Sequence, residues 1–492
     1  MIDIQIVPEE FQYDVQSMVQ AFYMGHPFKI NSQVQDYYRI LKVVYEENRI
    51  NIILSDNEKK LFEEHYEIDC SGIVNHCDLS KTHRTELKNV LKKLLYSVMS
   101  KDTGKELPWG NLTGIRPAKI PGMLFEQGMR EEQVRKTMKE TYLISDEKLN
   151  LAIDISRRES RILSDINYKE GYSLYVGIPF CPTTCLYCSF TSYPISMYKD
   201  KVDSYVDSVI KEIKFLGEQF KGRELNTVYI GGGTPTTLKP DQMDRLITSL
   251  KENFDFSTVR EFTVEAGRPD SITEEKLKTL KKHNVSRISI NPQTMNQKTL
   301  DLIGRKHTVE ETKQAFSMAR EAGHDNINMD LIIGLPEEDI DDVRSTMEQV
   351  RELAPDSVTV HSLAIKRAAR LNIFKERYAN LKIQNTQEMI DLTAKYAREM
   401  GLEPYYLYRQ KNMAGNFENV GYAAPGKACI YNILIMEEKQ TIVACGAGTT
   451  TKVTFPAENR LERAENVKDV ASYIERIDEM IDRKEKLLSK LV

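Results

Sequence analysis

SLYVGIPFCPTTCLYCSFTSYP, residues 173–194, is the stretch around which the chain is organised. It holds Cys181, Cys185 and Cys188 in the spacing C-x-x-x-C-x-x-C, directly after the apolar run at residues 174–178. A short apolar run of this kind is typical of a buried strand. The pattern therefore places three thiols in the loop that leaves a strand, and thiolates this close together favour a metal cluster over a disulfide pair.

The number and spacing of the cysteines distinguish between a zinc site, a redox pair and an iron–sulfur cluster. A structural zinc site usually has four protein ligands, often in two separated pairs, and no second C-x-x-C pair occurs in this chain. A redox pair formed by Cys185 and Cys188 would leave Cys181 without a role. Iron–sulfur clusters are held by cysteine thiolates. We therefore predict a 4Fe-4S cluster in which three cysteines leave one iron open to a further ligand.

Composition limits the class of protein. The chain has 492 residues and a net charge of -5, which gives no support for a nucleic-acid partner. No apolar run approaches the roughly 20 residues of a membrane span, and the N-terminus lacks the pattern of an export signal. We expect a cytoplasmic protein in which the scattered cysteines are free thiols. These are Cys70, Cys77, Cys429 and Cys445.

Strand-like and helix-like segments alternate through the middle of the chain. Amphipathic helical stretches separate most of six β-rich runs, at residues 173–178, 227–230, 261–265, 287–291, 326–333 and 357–361. This rhythm is typical of βαβ units with a parallel sheet. We predict an α/β fold in which residues 166–367 form a partial (β/α)6 barrel. Residues 1–165 are expected to be an accessory α+β region.

Residues 368–492 are expected to form a C-terminal α+β region that covers the substrate. Within it, the apolar runs at residues 429–436 and 440–444 suggest a β-hairpin.

The predicted barrel strands end in polar or glycine-rich residues. Functional residues gather at the carboxyl ends of the strands in such barrels, so these strand ends are the candidate site. They are the three cysteines, the GGGTP run at residues 231–235, Glu265, Gln293, Asp330 and His361.

The cysteine spacing, with Tyr187 before the last cysteine, resembles the radical S-adenosylmethionine (SAM) superfamily, and GGGTP resembles that superfamily's glycine-rich element. The resemblance implies that the open iron binds the amino and carboxylate groups of SAM. It further implies that an electron from the cluster splits SAM to give a 5′-deoxyadenosyl radical. The protein's part is to orient these groups and to tune the cluster.

Further motifs narrow the resemblance to the oxygen-independent coproporphyrinogen III oxidase (dehydrogenase) family. They are LYVGIPFC (174–181), TVE (263–265), RISINPQ (287–293), IGR (303–305) and MDLIIGLP (329–336). The loop at residues 107–119 and the long N-terminal extension resemble the family's HemZ-type branch.

The resemblance assigns roles residue by residue. It places Tyr175 and Tyr187 beside SAM and the cluster, and it makes Glu265 an acceptor of hydrogen bonds from SAM. The polar end of SAM is held by Gly232, Gly233 and Thr234. The remaining positions that line the SAM site or sites are Gln293, Arg305, Asp330 and Ala364.

The implied reaction is the oxidative decarboxylation of coproporphyrinogen III to protoporphyrinogen IX in anaerobic heme biosynthesis. The electron donor would be a reductase or a flavodoxin- or ferredoxin-type protein. A tetrapyrrole with four propionates needs cations. The candidates are Arg116, Lys119, Arg268, Arg305, Arg367, Arg370, Arg409 and Lys411.

Two alternatives remain open. The first is a heme-trafficking protein, but the HNxxYW element of the heme-chaperone branch has its nearest counterpart at residues 431–436, YNILIM, which lacks the histidine. The second is a radical SAM methyltransferase or heme-degrading relative. The chain also has Gly177 where the family usually has histidine.

Overall fold

The computed structural model describes residues 1–7, 9, 11–32, 37–46, 49–56, 59–67, 81–114, 116–364, 369–373, 380–410, 417–458 and 460–491. Cys70, Cys77, Arg367 and Lys411 lie outside these residues. The chain divides into two compact units, Met1–Ser156 and Arg157–Val492. The boundaries at residues 165 and 367 stay predictions.

The first unit is an α+β structure. Its strands are β1 (Ile2–Val7), β2 (Phe28–Ile30), β3 (Arg39–Glu46), β4 (Arg49–Ser55) and β5 (Lys60–Glu67). Its helices are α1 (Gln12–Phe22), α2 (Lys81–Thr103), α3 (Lys119–Glu126), α4 (Glu131–Tyr142) and the first part of α5 (Asp146–Ser164). Within the described residues of this unit, the strands form one sheet in the order β2-β1-β3-β4-β5.

The core of the first unit follows from the alternation of its strands. Ile4 on β1, Val43 on β3 and Ile52 on β4 are buried because successive strand residues point to opposite faces. Phe22 on α1 and Leu95 on α2 are buried in the same core cluster. These apolar faces cover one another, so the first unit has a hydrophobic core of its own.

The second unit contains the remaining elements. Its strands are β6 (Tyr172–Ile178), β7 (Phe180–Cys181), β8 (Tyr193–Pro194), β9 (Leu225–Gly232), β10 (Glu261–Gly267), β11 (Arg287–Ile290), β12 (Ile327–Ile333), β13 (Ser357–Ser362), β14 (Glu403–Tyr408), β15 (Asn419–Ala423), β16 (Thr441–Cys445), β17 (Thr450–Phe455) and β18 (Arg460–Glu465). Its helices are α6 (Val202–Gln219), α7 (Pro240–Asn253), α8 (Glu274–Lys282), α9 (Gln297–Leu302), α10 (Val309–Glu321), α11 (Ile340–Leu353), α12 (Arg370–Ile373), α13 (Gln387–Glu399), α14 (Ile430–Glu437), α15 (Val470–Glu475) and α16 (Ile477–Leu488).

One large sheet organises the second unit. In the part of the chain that the structure describes, its order is β14-β15-β13-β12-β11-β10-β9-β6-β16-β17-β18. The strands β6, β9, β10, β11, β12 and β13 are parallel to their neighbours in chain order, and at least one helix follows each of them. The alternating rhythm of the sequence therefore corresponds to the observed βα units.

Side chains at the helix starts explain why the chain turns from strand to helix. The Thr308 hydroxyl accepts a hydrogen bond from the Glu311 amide at 3.1 Å, and the Glu311 carboxylate accepts one from the Thr308 amide at 2.6 Å. Asp339 and Asp342 form the same reciprocal arrangement at the start of α11. Such caps satisfy amides that have no partner within the helix.

The C-terminal strands extend both sides of the same sheet. On one side, β15 pairs antiparallel with β13; on the other, β16 pairs parallel with β6. The predicted hairpin at residues 429–436 and 440–444 is wrong, because its first half is the helix α14. A short apolar run does not separate a buried helix from a buried strand, and α14 is apolar because it packs against β9 and β14.

Among the described residues, no helix has both the length and the apolar character that crossing a bilayer requires.

Candidate functional site

The cysteine loop, residues 181–188, follows β6 and is held in place by backbone contacts. The Leu186 amide donates to the Ile303 carbonyl at 2.9 Å, and the Thr183 hydroxyl donates to the Gly304 carbonyl at 3.1 Å. The IGR segment at residues 303–305 thus anchors the cysteine loop through two hydrogen bonds. Both segments were singled out from the sequence, and the fold places them in contact.

The three thiols of the loop lie close enough to influence one another's ionisation. Cys181 and Cys185 are buried and Cys188 is partly buried. Burial raises the pKa of Cys181 to about 11; the hydroxyl of Thr234 lowers it, and the nearby charges of Cys188 and Cys185 raise it further. A bound metal would reverse this situation, because a coordinating thiol is deprotonated. The mutual proximity of three thiols therefore fits a metal cluster.

The same side chains do not form a site for a single ion. Within the described residues, no group of three or more histidine, cysteine or carboxylate side chains could hold one metal ion. In an iron–sulfur cube, each thiolate binds a different iron. Three thiolates without a fourth protein ligand fit such a cluster better than a structural zinc site.

The glycine-rich turn after β9 lies directly against the cysteine loop. A Cβ atom on Gly233 would lie 2.6 Å from the Phe180 carbonyl oxygen and 3.0 Å from Cys181 Sγ. The Gly233 amide donates to the Ile178 carbonyl and the Thr234 amide to the Phe180 carbonyl, both at 2.7 Å. Only glycine permits this approach, so the GGGTP run is needed to position the first cysteine.

Glu265 lies near the end of β10 beside the same turn. Its Oε1 accepts a hydrogen bond of 2.6 Å from the Tyr229 hydroxyl. Burial raises the pKa of Glu265 to about 7, opposed by Tyr229 and by the Gly232 amide and assisted by the charge of Asp330. A carboxyl group with this pKa changes charge near neutral pH, and it can accept hydrogen bonds from a cationic ligand when ionised.

Asp330 on β12 faces a histidine on the neighbouring strand. Burial acts to raise the pKa of Asp330, but His361, whose Nε2 lies 3.9 Å from Asp330 Oδ2, and the Asn328 amide hold the pKa below its usual value. The Asn328 amide donates to Asp330 Oδ1 at 2.7 Å. His361 Nδ1 lies 3.3 Å from the Tyr408 hydroxyl. Asp330 is thus an ionised acceptor at the strand edge.

Gln293 follows β11 with a left-handed backbone, at a φ of 70°. Such a conformation costs free energy for a residue other than glycine. The Gln293 amide donates to the Asp330 carbonyl at 3.0 Å and its carbonyl accepts from Ile332 at 2.9 Å, which fix the strained turn. In the described part of the chain, Gln293 Oε1 is buried without a hydrogen-bond partner. A buried acceptor of this kind fits a polar ligand.

Arg305 lies between the strand edge and the cysteine loop. Its Nη1 donates to the Asn291 carbonyl and lies 3.5 Å from the Pro292 carbonyl. Burial acts to lower the pKa of Arg305, but contacts with Tyr187 and Cys185 raise it overall. Among the described residues, Arg305 Nε and Asn291 Oδ1 are also buried without partners. These orphaned polar atoms fit the SAM site that the resemblance implies.

The rings of three tyrosines pack against one another next to Glu265. Tyr175 on β6 lies with ring centroids 6.0 Å from Tyr229 and 6.0 Å from Tyr431, and Tyr229 lies 4.5 Å from Tyr431. All three are near-parallel stacks. Tyr229 also bonds to Glu265, so the stack holds that carboxylate in place. The sequence alone did not single out Tyr229, because its partner comes from a different strand.

The residues to which the resemblance assigns roles lie on the parallel strands β6, β9, β10 and β12 or in the segments that follow β6, β9, β11 and β13. Tyr187 is within the cysteine loop, and Ala364 comes just after β13, where it is partly buried. The roles in binding SAM remain predictions. The residues concerned are Tyr175, Tyr187, Gly232, Gly233, Thr234, Glu265, Gln293, Arg305, Asp330 and Ala364.

The structure corrects the role expected for Arg268. This side chain is only 3% exposed. Its Nε and Nη2 bond to the two carboxylate oxygens of Asp270 at 2.9 and 2.6 Å, and its Nη1 bonds to Thr183. Arg268 is therefore not a cation presented to a substrate. It belongs to the support of the cysteine loop.

His307 is a site-adjacent residue that no sequence pattern indicated. It is fully buried, and within the described residues both of its ring nitrogens have no hydrogen-bond partner. Burial lowers the pKa of His307 to about 3, and the charge of Arg305 lowers it further. The imidazole is therefore neutral beside the support of the cysteine loop.

A cluster-type cysteine loop after the first parallel strand and polar strand ends beside it define a radical SAM protein, and the profile of the Radical SAM superfamily matches residues 175–350. The superfamily implies SAM and a 4Fe-4S cluster as cofactors.

The relatives give a narrower assignment. The chain is 42% identical to the oxygen-independent coproporphyrinogen-III oxidase-like protein HemZ of Bacillus subtilis, over 82% of this chain and 82% of that protein. It is 32% identical to the heme chaperone HemW of Lactococcus lactis, over 56% of this chain and 69% of the relative. The chain belongs to the oxygen-independent coproporphyrinogen III oxidase family, in its HemZ-type branch.

A solved structure supports the same fold. The coproporphyrinogen III oxidase HemN of Escherichia coli aligns with a TM-score of 0.51 and 24% identity, over 65% of this chain and 73% of that chain. The family and the α/β radical SAM fold that the motifs predicted are confirmed.

Proposed function

We propose that the protein catalyses the oxidative decarboxylation of coproporphyrinogen III to protoporphyrinogen IX. When bound, the cluster and SAM would supply a 5′-deoxyadenosyl radical that takes a hydrogen atom from a propionate side chain and leaves as 5′-deoxyadenosine; loss of CO2 and transfer of one electron to an external one-electron acceptor would then leave a vinyl group. The proposal is supported by membership of the HemZ-type branch and by the composition of the strand edge. An electron-donor protein and a cytoplasmic location stay predictions from the sequence.

In this proposal, the residues of the chain bind and orient the reactants. Cys181, Cys185 and Cys188 would hold the cluster. Glu265 and Asp330 would accept hydrogen bonds from SAM, and the buried amide oxygen of Gln293 would gain the partner that it lacks among the described residues. Burial of these groups strengthens each polar contact, because the effective dielectric constant is lower than in water.

The substrate's carboxylates need cations near the cysteine loop. Arg370 is exposed at the start of α12, and the amide of the next residue, Leu371, donates to the Leu186 carbonyl in that loop at 3.0 Å. Arg409, in contrast, is buried, and burial lowers its pKa to about 10. We therefore assign a propionate contact to Arg370.

The observation that carries an enzymatic function over heme carriage is the packing of Tyr431. This residue stands where the HNxxYW element of the heme-chaperone branch has histidine. Its side chain is 5% exposed and stacks on Tyr229, which in turn bonds to Glu265. A residue packed in this way supports the site and is not presented as an axial ligand to heme iron.

One anaerobic assay tests the proposal. The protein, reconstituted with iron and sulfide, is incubated with SAM, dithionite and coproporphyrinogen III, and the products are identified by mass spectrometry. We expect two successive losses of the mass of one CO2 and two hydrogens, together with 5′-deoxyadenosine. Methylated or ring-opened tetrapyrroles, or an unchanged substrate, would contradict the proposal. Cys185→Ala is the matched inactive control.

Heme trafficking is the second candidate because the alignment with the heme chaperone HemW of Lactococcus lactis covers 56% of the chain. It predicts tight heme binding and no vinyl product in the same assay. Heme titration of the cluster-loaded protein, followed by its absorption spectrum, separates the two functions.

A further inference from the structure

Arg268 is directed at the cysteine loop by an irregularity in β10. The register between β10 and β11 shifts between Glu265 and Gly267, which marks a bulge. Gly267 has a φ of 66°, a backbone conformation that glycine adopts readily. The next side chain, Arg268, is consequently turned inward and is 3% exposed. A bulge that re-aims one side chain is a recurring device beside functional sites.

The contacts of Arg268 join the loop to a carboxylate. Its Nη1 lies 3.1 Å from the Thr183 carbonyl oxygen, 2.6 Å from the Thr183 hydroxyl and 3.9 Å from Cys185 Sγ. The opposite side of the guanidinium is paired with both oxygens of Asp270. The guanidinium of Arg268 thus directs one N–H group toward Cys185, while Asp270 fixes the plane of the guanidinium.

A second buried guanidinium lies beside the same sulfur. The Arg305 guanidinium is 5% exposed and interacts electrostatically with Cys185 and Tyr187, which raise its pKa. Cys185 is therefore the sulfur of the loop that two buried cations approach. Arginine remains charged in such a position, since its guanidinium is not deprotonated in proteins.

We propose that Arg268 is a positioning residue that raises the reduction potential of the cluster through Cys185. Reduction adds negative charge to the cluster and its thiolates. A buried cation and an N–H group directed at one of those sulfurs stabilise the reduced state more than the oxidised state, and hydrogen bonds to cluster sulfurs are an established influence on potential. This inference rests on the cluster assignment of the proposed function but not on the identity of the substrate.

A purely structural role is the alternative. Arg268 and Asp270 would then serve only to close the turn after β10, and the cluster potential would not depend on the charge of the guanidinium. The two roles differ in a quantity that can be measured without substrate.

The test is an anaerobic redox titration of the reconstituted protein, monitored by electron paramagnetic resonance in the absence of SAM and tetrapyrrole. We expect Arg268→Gln to retain its iron and to have a more negative midpoint potential. At a fixed potential near the midpoint of the native protein, the ratio of reduced to oxidised cluster should fall about tenfold, which corresponds to about 59 mV for a one-electron couple. Arg268→Lys should stay close to the native potential, because it keeps the charge.

Asp270→Asn tests the direction of the shift in midpoint potential, and it does not require Arg268→Gln to be stable. Removing the carboxylate leaves the charge of Arg268 less neutralised, so the midpoint potential should become more positive. Arg320→Gln is the matched control: Arg320 pairs with Asp356 at 2.7 Å and donates to the carbonyls of His324 and Ala354, which follow α10 and α11. Its potential should equal that of the native protein.

The outcomes divide clearly. Equal potentials in Arg268→Gln and the native protein would overturn the proposal. If Arg268→Gln does not assemble a cluster, an unchanged or more negative potential in Asp270→Asn would overturn it. A native protein that binds no cluster would refute the cluster assignment and this inference together, whereas a normal redox shift with no tetrapyrrole product would refute the substrate assignment alone.

Discussion

Glu265 is the residue whose chemistry depends most clearly on pH. Burial raises its pKa to about 7, so the carboxyl group is largely protonated below that pH in the absence of ligand. A ligand that donates hydrogen bonds to the carboxylate must first displace the proton. We therefore expect the affinity for SAM to fall as pH decreases below about 7, by up to about tenfold per pH unit. Anaerobic calorimetry from pH 6 to pH 8 measures this dependence.

A matched variant identifies the group responsible. Glu265→Gln should bind SAM more weakly and without this pH dependence. Glu338→Gln should keep the native profile: burial also raises the pKa of Glu338 to about 7, but its partner is the Thr294 hydroxyl at 2.6 Å. A Glu265→Gln profile that still falls below pH 7 would assign the titration to another group.

Arg370 carries the prediction for the substrate. Arg370→Gln should raise the KM for coproporphyrinogen III by up to about fivefold with little change in kcat, since an exposed ion pair contributes about 0.2 to 1 kcal/mol. Steady-state kinetics under anaerobic conditions measures the two constants. Arg351→Gln, which removes an exposed arginine paired with Glu399 at 3.1 Å, should leave both unchanged. A fall in kcat at an unchanged KM would exclude a binding role.

At the scale of elements, the end of β6 fits closely against the turn between β16 and β17. A Cβ atom on Gly177 would lie 2.5 Å from Cγ2 of Thr449, and the Gly177 carbonyl accepts a bond of 2.7 Å from the Tyr205 hydroxyl. The usual histidine of the family has no room here. Gly177 is thus explained by packing between two elements.

This packing can be tested by a pair of substitutions. Gly177→Ala should lower the free energy of unfolding by about 1 to 3 kcal/mol, as overpacking does in well-packed cores. Thr449→Ser removes the methyl group and keeps the hydroxyl that bonds to the Gly446 carbonyl at 2.8 Å. The double variant should recover most of the loss in urea unfolding. No recovery would indicate that the methyl contact is not the cause.

Much of the fold could be predicted from the sequence because its main signals are local. The β/α rhythm, the cysteine spacing and the polar strand ends all lie within short segments. The role of α14 was not predictable, since an apolar run such as residues 430–437 is compatible with either a strand or a helix until its neighbours are known. The parallel pairing of β16 with β6 joins segments more than 260 residues apart, as Ile442 opposite Ser173 illustrates.

In the candidate site, too, the features that depend on contacts between distant segments could not be predicted. Glu265, Gln293 and Asp330 could be singled out because each lies in or just after a recognisable strand. Arg268 was assigned the wrong role and His307 was missed, because burial and the direction of a side chain depend on the bulge in β10 and on the loops around it.

At the scale of the whole second unit, a buried ion pair joins the helix α16 to the helix α6. Lys484 on α16 is paired with Glu212 on α6, and both are almost completely buried. Glu212 also accepts bonds from the Gly446 amide at 2.8 Å and the Tyr473 hydroxyl at 2.7 Å. This network connects the C-terminal segment with the turn that packs against Gly177.

Removing one partner of this buried ion pair should lower the free energy of unfolding substantially. Lys484→Met leaves the Glu212 charge buried without its cation, and we expect a loss of about 3 to 5 kcal/mol in the free energy of unfolding. Urea unfolding of the intact chain measures it. Lys490→Met is the matched control, because Lys490 forms an exposed pair with Glu462 at 2.6 Å and should cost at most about 1 kcal/mol. Equal effects of the two variants would contradict a special role for the buried pair.

The central claim for the whole molecule is that Cys181, Cys185 and Cys188 hold a four-iron cluster with one iron open to SAM. Electron paramagnetic resonance of the reconstituted, dithionite-reduced protein with and without SAM tests it most directly. We expect a cluster signal that changes when SAM is added in the native protein, and no cluster signal in the triple Cys→Ala variant. A signal that SAM leaves unchanged, or that survives the loss of all three cysteines, would contradict the claim.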